Sequence, residues 1–172
     1  MKLLRQMQRT KQLTVLLICG LALSGCGNYL GDVTVEGRSG LARSEAGDVI
    51  IRVQPCGLPI DSVRVSGPYQ HEDPPEANPA YLRLRDEAGR SEPFVIDPAA
   101  IESSWTVDVN EPIPSHRDAM LIVNSHIEGK NSQTSQVSGL IKQVRALKQG
   151  EVLVGSLSGN SRVVTEEEFL KC

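Results

Sequence analysis

Apolar and polar residues alternate along much of this chain with a period of two, the spacing that lines one face of a β-strand. Val49-Ile50-Ile51-Arg52-Val53 sets Val49, Ile51 and Val53 on one face. Ser62-Val63-Arg64-Val65 repeats the pattern, and Tyr81-Leu82-Arg83-Leu84-Arg85 turns Leu82 and Leu84 inward and two arginines outward. Trp105, Val107 and Val109 alternate with Thr106 and Asp108, which assigns the single tryptophan to the core. Phe94-Val95-Ile96, Val152-Leu153-Val154 and Arg162-Val163-Val164 are short strand-length runs. Met120-Leu121-Ile122-Val123 is continuous enough for a central strand.

Turn formers separate these runs. Pro55, Gly57 and Pro59 break the first pair, Gly67-Pro68 and Asp73-Pro74-Pro75 open a polar loop reaching Pro79, and Pro93, Pro98, Pro112 and Pro114 punctuate the middle. Ser158-Gly159-Asn160 suits a hairpin turn between the last two strands. Helical spacing is scarce. Leu140, Ile141, Val144 and Leu147 fit one or two amphipathic turns bracketed by Gly139 and Gly150, or a strand ending in a tight loop. Thr165 followed by Glu166, Glu167 and Glu168 has an N-cap, acidic first turn and capping-box glutamate, and predicts one helical turn through Leu170. The expected class is all-β, a β-sandwich of about eight strands over residues 48–172 with a short C-terminal helical turn. Leu147-Lys148-Gln149-Gly150 ahead of Glu151-Val152-Leu153-Val154 resembles the loop before the penultimate strand of fibronectin type III domains. Gln149 stands where that family has proline, and its strand tyrosine is missing. The resemblance implies an immunoglobulin-like topology.

The first residues follow different rules. Residues 1–12 carry Lys2, Arg5, Arg9 and Lys11 and no acid, and residues 13–23 are an apolar run of eleven. That run is well short of the roughly 20 residues a helix needs to span a bilayer. It fits a secretory leader, and Leu23-Ser24-Gly25-Cys26 closes it. The cysteine directly after small residues resembles the lipobox of exported bacterial lipoproteins. The resemblance implies cleavage of residues 1–25, diacylglycerol on Cys26 and a third acyl chain such as palmitate on the new amino terminus. Each buried methylene contributes roughly 0.8 kcal/mol, so two or three chains anchor stably where one does not. Residue 27 is Gly rather than Asp, which in the lipoprotein sorting pattern favours the outer membrane of a two-membrane source. Residues 26–47, glycine-rich and polar, read as a flexible lipid-anchored tether, or in part as an edge strand.

Processing changes the charge and the cysteine count. Four basic residues and no acidic ones leave with the leader, taking the formal balance from −3 to −7. An acidic domain without a basic run excludes nucleic acid as a partner and disfavours adsorption to anionic lipid. Cys19 leaves and Cys26 is alkylated, so Cys56 and Cys172 remain and read as one intramolecular disulfide in an oxidising compartment, the alternatives being two free thiols or an intermolecular bond through Cys172.

Catalytic and metal signals are weak. Gly155-Ser156-Leu157-Ser158-Gly159 has leucine where a nucleophile elbow needs serine. His71-Glu72-Asp73 with Glu76 is the densest set of ligand-type side chains, yet adjacent residues do not converge on one ion. Asp108-Val109-Asn110-Glu111 offers oxygens for calcium without an EF-hand pattern, and His116 and His126 have no fixed relation. No catalytic, cofactor or metal residue is assigned. The expectation is a non-catalytic, extracytoplasmic protein of the cell envelope. It is held to the membrane through lipid on Cys26 and presents its β-domain to an envelope protein or wall component. The alternative is a small-ligand or ion-binding lipoprotein accessory to a transporter.

Overall fold

A computed structural model describes residues 33–68, 78–155 and 160–172. The chain is all-β, as the period-two pattern predicts, with eleven strands among the described residues rather than about eight. Strands β2 (Val49–Gln54), β3 (Ile60–Ser66), β4 (Ala80–Arg90), β5 (Phe94–Ile96), β6 (Thr106–Asn110), β7 (Met120–His126), β10 (Glu151–Gly155) and β11 (Ser161–Thr165) fall on the expected runs. Three more complete the set: β1 (Thr34–Arg43), where a strand was the alternative to a tether, and β8 (Ser132–Ser135) and β9 (Val137–Leu140), which were not expected. The expected tether over residues 26–47 is therefore corrected. Its part from Thr34 to Arg43 is a strand, and the folded domain begins well before residue 48.

All strands share one hydrogen-bonded sheet in the order β11-β10-β1-β8-β7-β3-β4-β6, with β2 on β1 and β5, and β9 on β7. Every pairing is antiparallel except β1 with β8. The sheet curls, so that Leu41 of β1, Ile51 and Val53 of β2, Val63 and Val65 of β3, Leu82 and Leu84 of β4, and Leu121 and Val123 of β7 meet in one core. Burying these branched side chains contributes about 1.5–3 kcal/mol each. β2 is covered on both faces, because Ile50 joins a second cluster on the outside of the sheet with Ala42, Val152, Val154, Val164 and Phe169.

β1 lies inside this arrangement. Residues Arg38–Arg43 pair with β2, residues 40–42 pair with β10, and Thr34, Val35 and Arg38 pair with β8. Its Ser39 hydroxyl is fully buried and lies 2.8 Å from both the Ser125 and the Thr134 hydroxyls. The three side chains satisfy one another where an unpaired hydroxyl would be costly.

Two short helices complete the domain. α1 (Ile141–Arg145) buries Ile141 and Val144, and Leu147 follows them into the core, so the helical alternative holds for that segment. α2 (Glu166–Phe169) starts as its sequence predicts, with the Thr165 hydroxyl accepting from the Glu168 amide at 3.2 Å. Trp105 is buried, but Val107 is exposed and Val109 only half-buried, so the expected three-residue face does not form. A register shift against β4 at Arg83/Leu84 breaks the alternation, and β6 is an edge strand. The expected turn at residues 158–160 lies largely outside the described residues.

Cys56 and Cys172 are paired as the cysteine count predicts, with Cα atoms 5.6 Å apart and a sequence separation of 116. In the chain-entropy picture a loop of that size is worth roughly 4–5 kcal/mol. Peptide mapping without reductant is expected to recover Cys56 joined to Cys172, and free thiols at both positions would contradict the pairing. Gly155 packs so closely on the Gln136 carbonyl that any Cβ there overlaps backbone. Gly155→Ala is expected to lower stability in urea unfolding by about 1–3 kcal/mol, and an unchanged midpoint would contradict the close approach.

Candidate functional site

β1 runs from Thr34, which pairs with Ser132, to Arg43, which pairs with Val49. At roughly 3.3 Å per residue, these ends lie at most about 30 Å apart, less where the strand bulges between Val35 and Arg38. Chain entry thus lies at one end of β1, the end paired with β8. The turn joining β1 to β2 marks the other, closed by the Ser44 amide donating to the Asp48 carbonyl at 2.8 Å and by Gly47 at φ +95°.

A groove of about 300 Å³ opens at this second end. Four separate segments build it. Asp48 and Val49 come from the β1–β2 turn, Asp97 and Pro98 follow β5, Asn110 to Ser115 leave β6, and Ile141 and Arg145 belong to α1. The Glu111 amide donates to the Tyr81 carbonyl at 2.7 Å, which fixes where the β6 segment leaves the sheet. The Asp97 carboxylate accepts from the Ala99 amide at 2.9 Å and is thereby aimed. Asp48, Glu111 and Arg145 enter no ion pair among the described residues. Three carboxylates and one guanidinium thus surround a floor of Val49, Ile113 and Ile141. Such a groove suits a polar or cationic chain segment with some apolar surface. No nucleophile–base pair lines it.

Sequence reasoning named Asn110 and Glu111 but missed Asp48, Asp97 and Arg145. They come from turns and a helix end that no local pattern links. Asp108 does not join Asn110 and Glu111 as an oxygen donor. Arg85 holds it in a two-point contact at 2.6 and 2.7 Å, and this hydrogen-bonded guanidinium keeps the Asp108 carboxyl below its ordinary range. His116 is exposed in the turn before β7, and its carbonyl accepts from the Ala119 amide at 3.0 Å. His126 ends β7, with Nδ1 3.2 Å from the Asn124 side-chain oxygen. The two histidines are not brought together at one site. Among the described residues, no group of three or more His, Cys, Asp or Glu is placed to hold a metal ion. Cys26, the set His71, Glu72, Asp73 and Glu76, and residues 156–159 lie outside the described residues.

Trp105 anchors a second polar cluster. The Arg90 guanidinium sits 4.4 Å from the Trp105 ring centroid and 5.5 Å from that of Phe94. It also donates to Asp86 at 2.8 Å, to Glu102 at 3.1 Å and to Ser104 at 2.6 Å. These contacts tie the β4 end to the segment ahead of β6, a structural role. The hydrogen bond from Arg90 outweighs burial and holds the Asp86 carboxyl below its ordinary value of 3.8.

A lowered folded-state pKa means that this pair stabilises the fold fully above the ordinary aspartate range. That contribution is lost as pH falls through the lowered folded value. Asp86→Asn is therefore expected to lower the melting temperature at neutral pH and to reduce the acid dependence of melting. Equal acid dependence in both proteins would contradict the pairing. Compared with known proteins, no family model matches the chain, and neither a curated protein nor a solved structure is significantly similar to it.

Proposed function

We propose that this chain is a lipid-anchored protein of the cell envelope, exported and held at the membrane by acyl chains on Cys26, and that it binds a protein partner rather than catalysing a reaction. The observation that carries the reading is Leu23-Ser24-Gly25-Cys26 at the end of a basic and then apolar leader. Among the described residues no helix is long and apolar enough to cross a membrane.

The early start of β1 sharpens this reading. Eight peptide links separate Cys26 from Thr34. Fully extended they reach at most about 29 Å, so a lipid on Cys26 would hold Thr34 within about that distance of the bilayer surface. The acidic groove lies at the other end of β1, about one strand length away. A partner or wall component outside the bilayer meets the groove, and the anchor supplies local concentration. The small-ligand reading rests on the same groove. Its volume sits at the lower end of the ligand-pocket range of roughly 300–1,000 Å³, and its three-carboxylate rim favours a cationic peptide segment over a buried small molecule.

Cys26→Ala is expected to move the protein out of the membrane fraction or to stall it as the uncleaved precursor. A processed variant that stays on the membrane would contradict the anchor. In intact cells, cross-linking from the anchored protein is expected to capture one dominant partner. The Glu111→Ala/Arg145→Ala variant is expected to lose that partner while keeping its membrane location. Capture that is indifferent to both substitutions would remove the groove from the account.

A further inference from the structure

The outer face of the sheet carries a surface of a different kind. Register alignment sets Ala42 of β1 beside Ile50 of β2 and Val152 of β10, and Val152 beside Val164 of β11. With Val154 they make an apolar floor. Three arginines rim it: Arg38, Arg52 and Arg162, from β1, β2 and β11. Residues 166–172 cover the floor. Phe169 is 1 % exposed and packs so tightly over β1 that a side chain on Gly40 would meet it and Val152.

Every rim arginine is engaged by this segment. Arg52 pairs with Glu166, and Arg162 pairs with Glu168 at 2.8 Å. Arg38 donates to the Glu168 and Lys171 carbonyls at 3.3 and 2.8 Å, and the Gln54 amide donates to the Leu170 carbonyl at 2.5 Å. The segment is therefore built as a ligand for the face, with acids for the arginines and an aromatic ring for the floor. It is an imperfect ligand. Arg52 Nε is buried without a partner, although a guanidinium is best met by a carboxylate taking two of its N–H groups. The Cys56–Cys172 bridge clamps the far end of the segment, and Cys172 is exposed.

We propose that this face is a docking surface for a short acidic helix with an aromatic anchor on a partner protein, and that residues 166–172 occupy it as an internal ligand released when the Cys56–Cys172 bridge is reduced. A dithiol reductant supplies the two electrons and two protons. The Cys56–Cys172 bond breaks, both cysteines become thiols, and the reductant becomes a disulfide. The strap is tethered at both ends, to β11 through Thr165 and by the bridge at Cys172; opening the bridge leaves one tether, which lowers its effective concentration over the face and lets an external segment compete. The surface is independent of whether Cys26 carries lipid.

The test uses the full domain and a fluorescent peptide of this chain's own residues 165–171, Thr-Glu-Glu-Glu-Phe-Leu-Lys. After dithiothreitol treatment, amides of 166–172 are expected to exchange faster while the strands stay protected. The peptide is expected to bind about tenfold or more tighter than to the oxidised protein, because the open fraction rises. Phe169→Ala with the bridge intact is expected to bind it too, and a peptide with alanine for phenylalanine is expected to bind neither form. Loss of strand protection on reduction would overturn the proposal, because the bridge would then hold the whole fold rather than a strap. A strap that stays protected with no peptide binding would overturn it as well, and so would binding that ignores the peptide's phenylalanine.

Discussion

A strand flanked on both edges is the hardest element of a sheet to remove, because its loss strands the hydrogen-bonding groups of every neighbour. β1 is such a strand. It bonds to β2 on one side, to β10 and β8 elsewhere along its length, and it carries Ser39 into the buried hydroxyl cluster with Ser125 and Thr134. Its Leu41 faces the main core and its Ala42 the outer cluster. Without β1, β10 and β11 lose their link to β7, β3 and β4 along the sheet path, and the two apolar clusters lose their shared wall.

The same strand sets the geometry of everything proposed to be functional. It begins eight links after Cys26, which leaves little chain for standing off a bilayer. It ends beside the turn that supplies Asp48 to the groove. Midway, Arg38 reaches the carbonyls of residues 168 and 171, and Gly40 makes room for Phe169. Within the described domain, the groove-end turn and the strap both depend on this one strand, so the spacing between its two ends follows from strand length.

How legible each part was follows from what its residues must do. β2, β3, β4 and β7 were readable because branched side chains fill the large central core at period two, and α2 because Thr165 and Glu168 cap it locally. β1 was readable only as a tether or an edge strand and not as an interior one, since close packing on both faces demands small residues. Gly37, Ser39, Gly40 and Ala42 have the composition of a linker. β8 hides for a related reason: its buried residue is Thr134, chosen to answer Ser39 and Ser125 rather than to fill volume. No local pattern links Arg38, Arg52 and Arg162, and only register brings them around one floor. The groove residues come from four segments far apart in sequence, a relation that only tertiary structure creates.

Native-state amide hydrogen exchange on the folded domain addresses the centrality of β1 most directly. Amides of Gly40, Leu41 and Ala42 are expected to exchange only through global unfolding, as slowly as those of Val63 and Val123 in the central strands. Exchange at those three positions as fast as in an exposed loop, with β3 and β7 still protected, would show that β1 is an ornament on the sheet. The role of β1 as the strand joining the two apolar clusters would then be wrong.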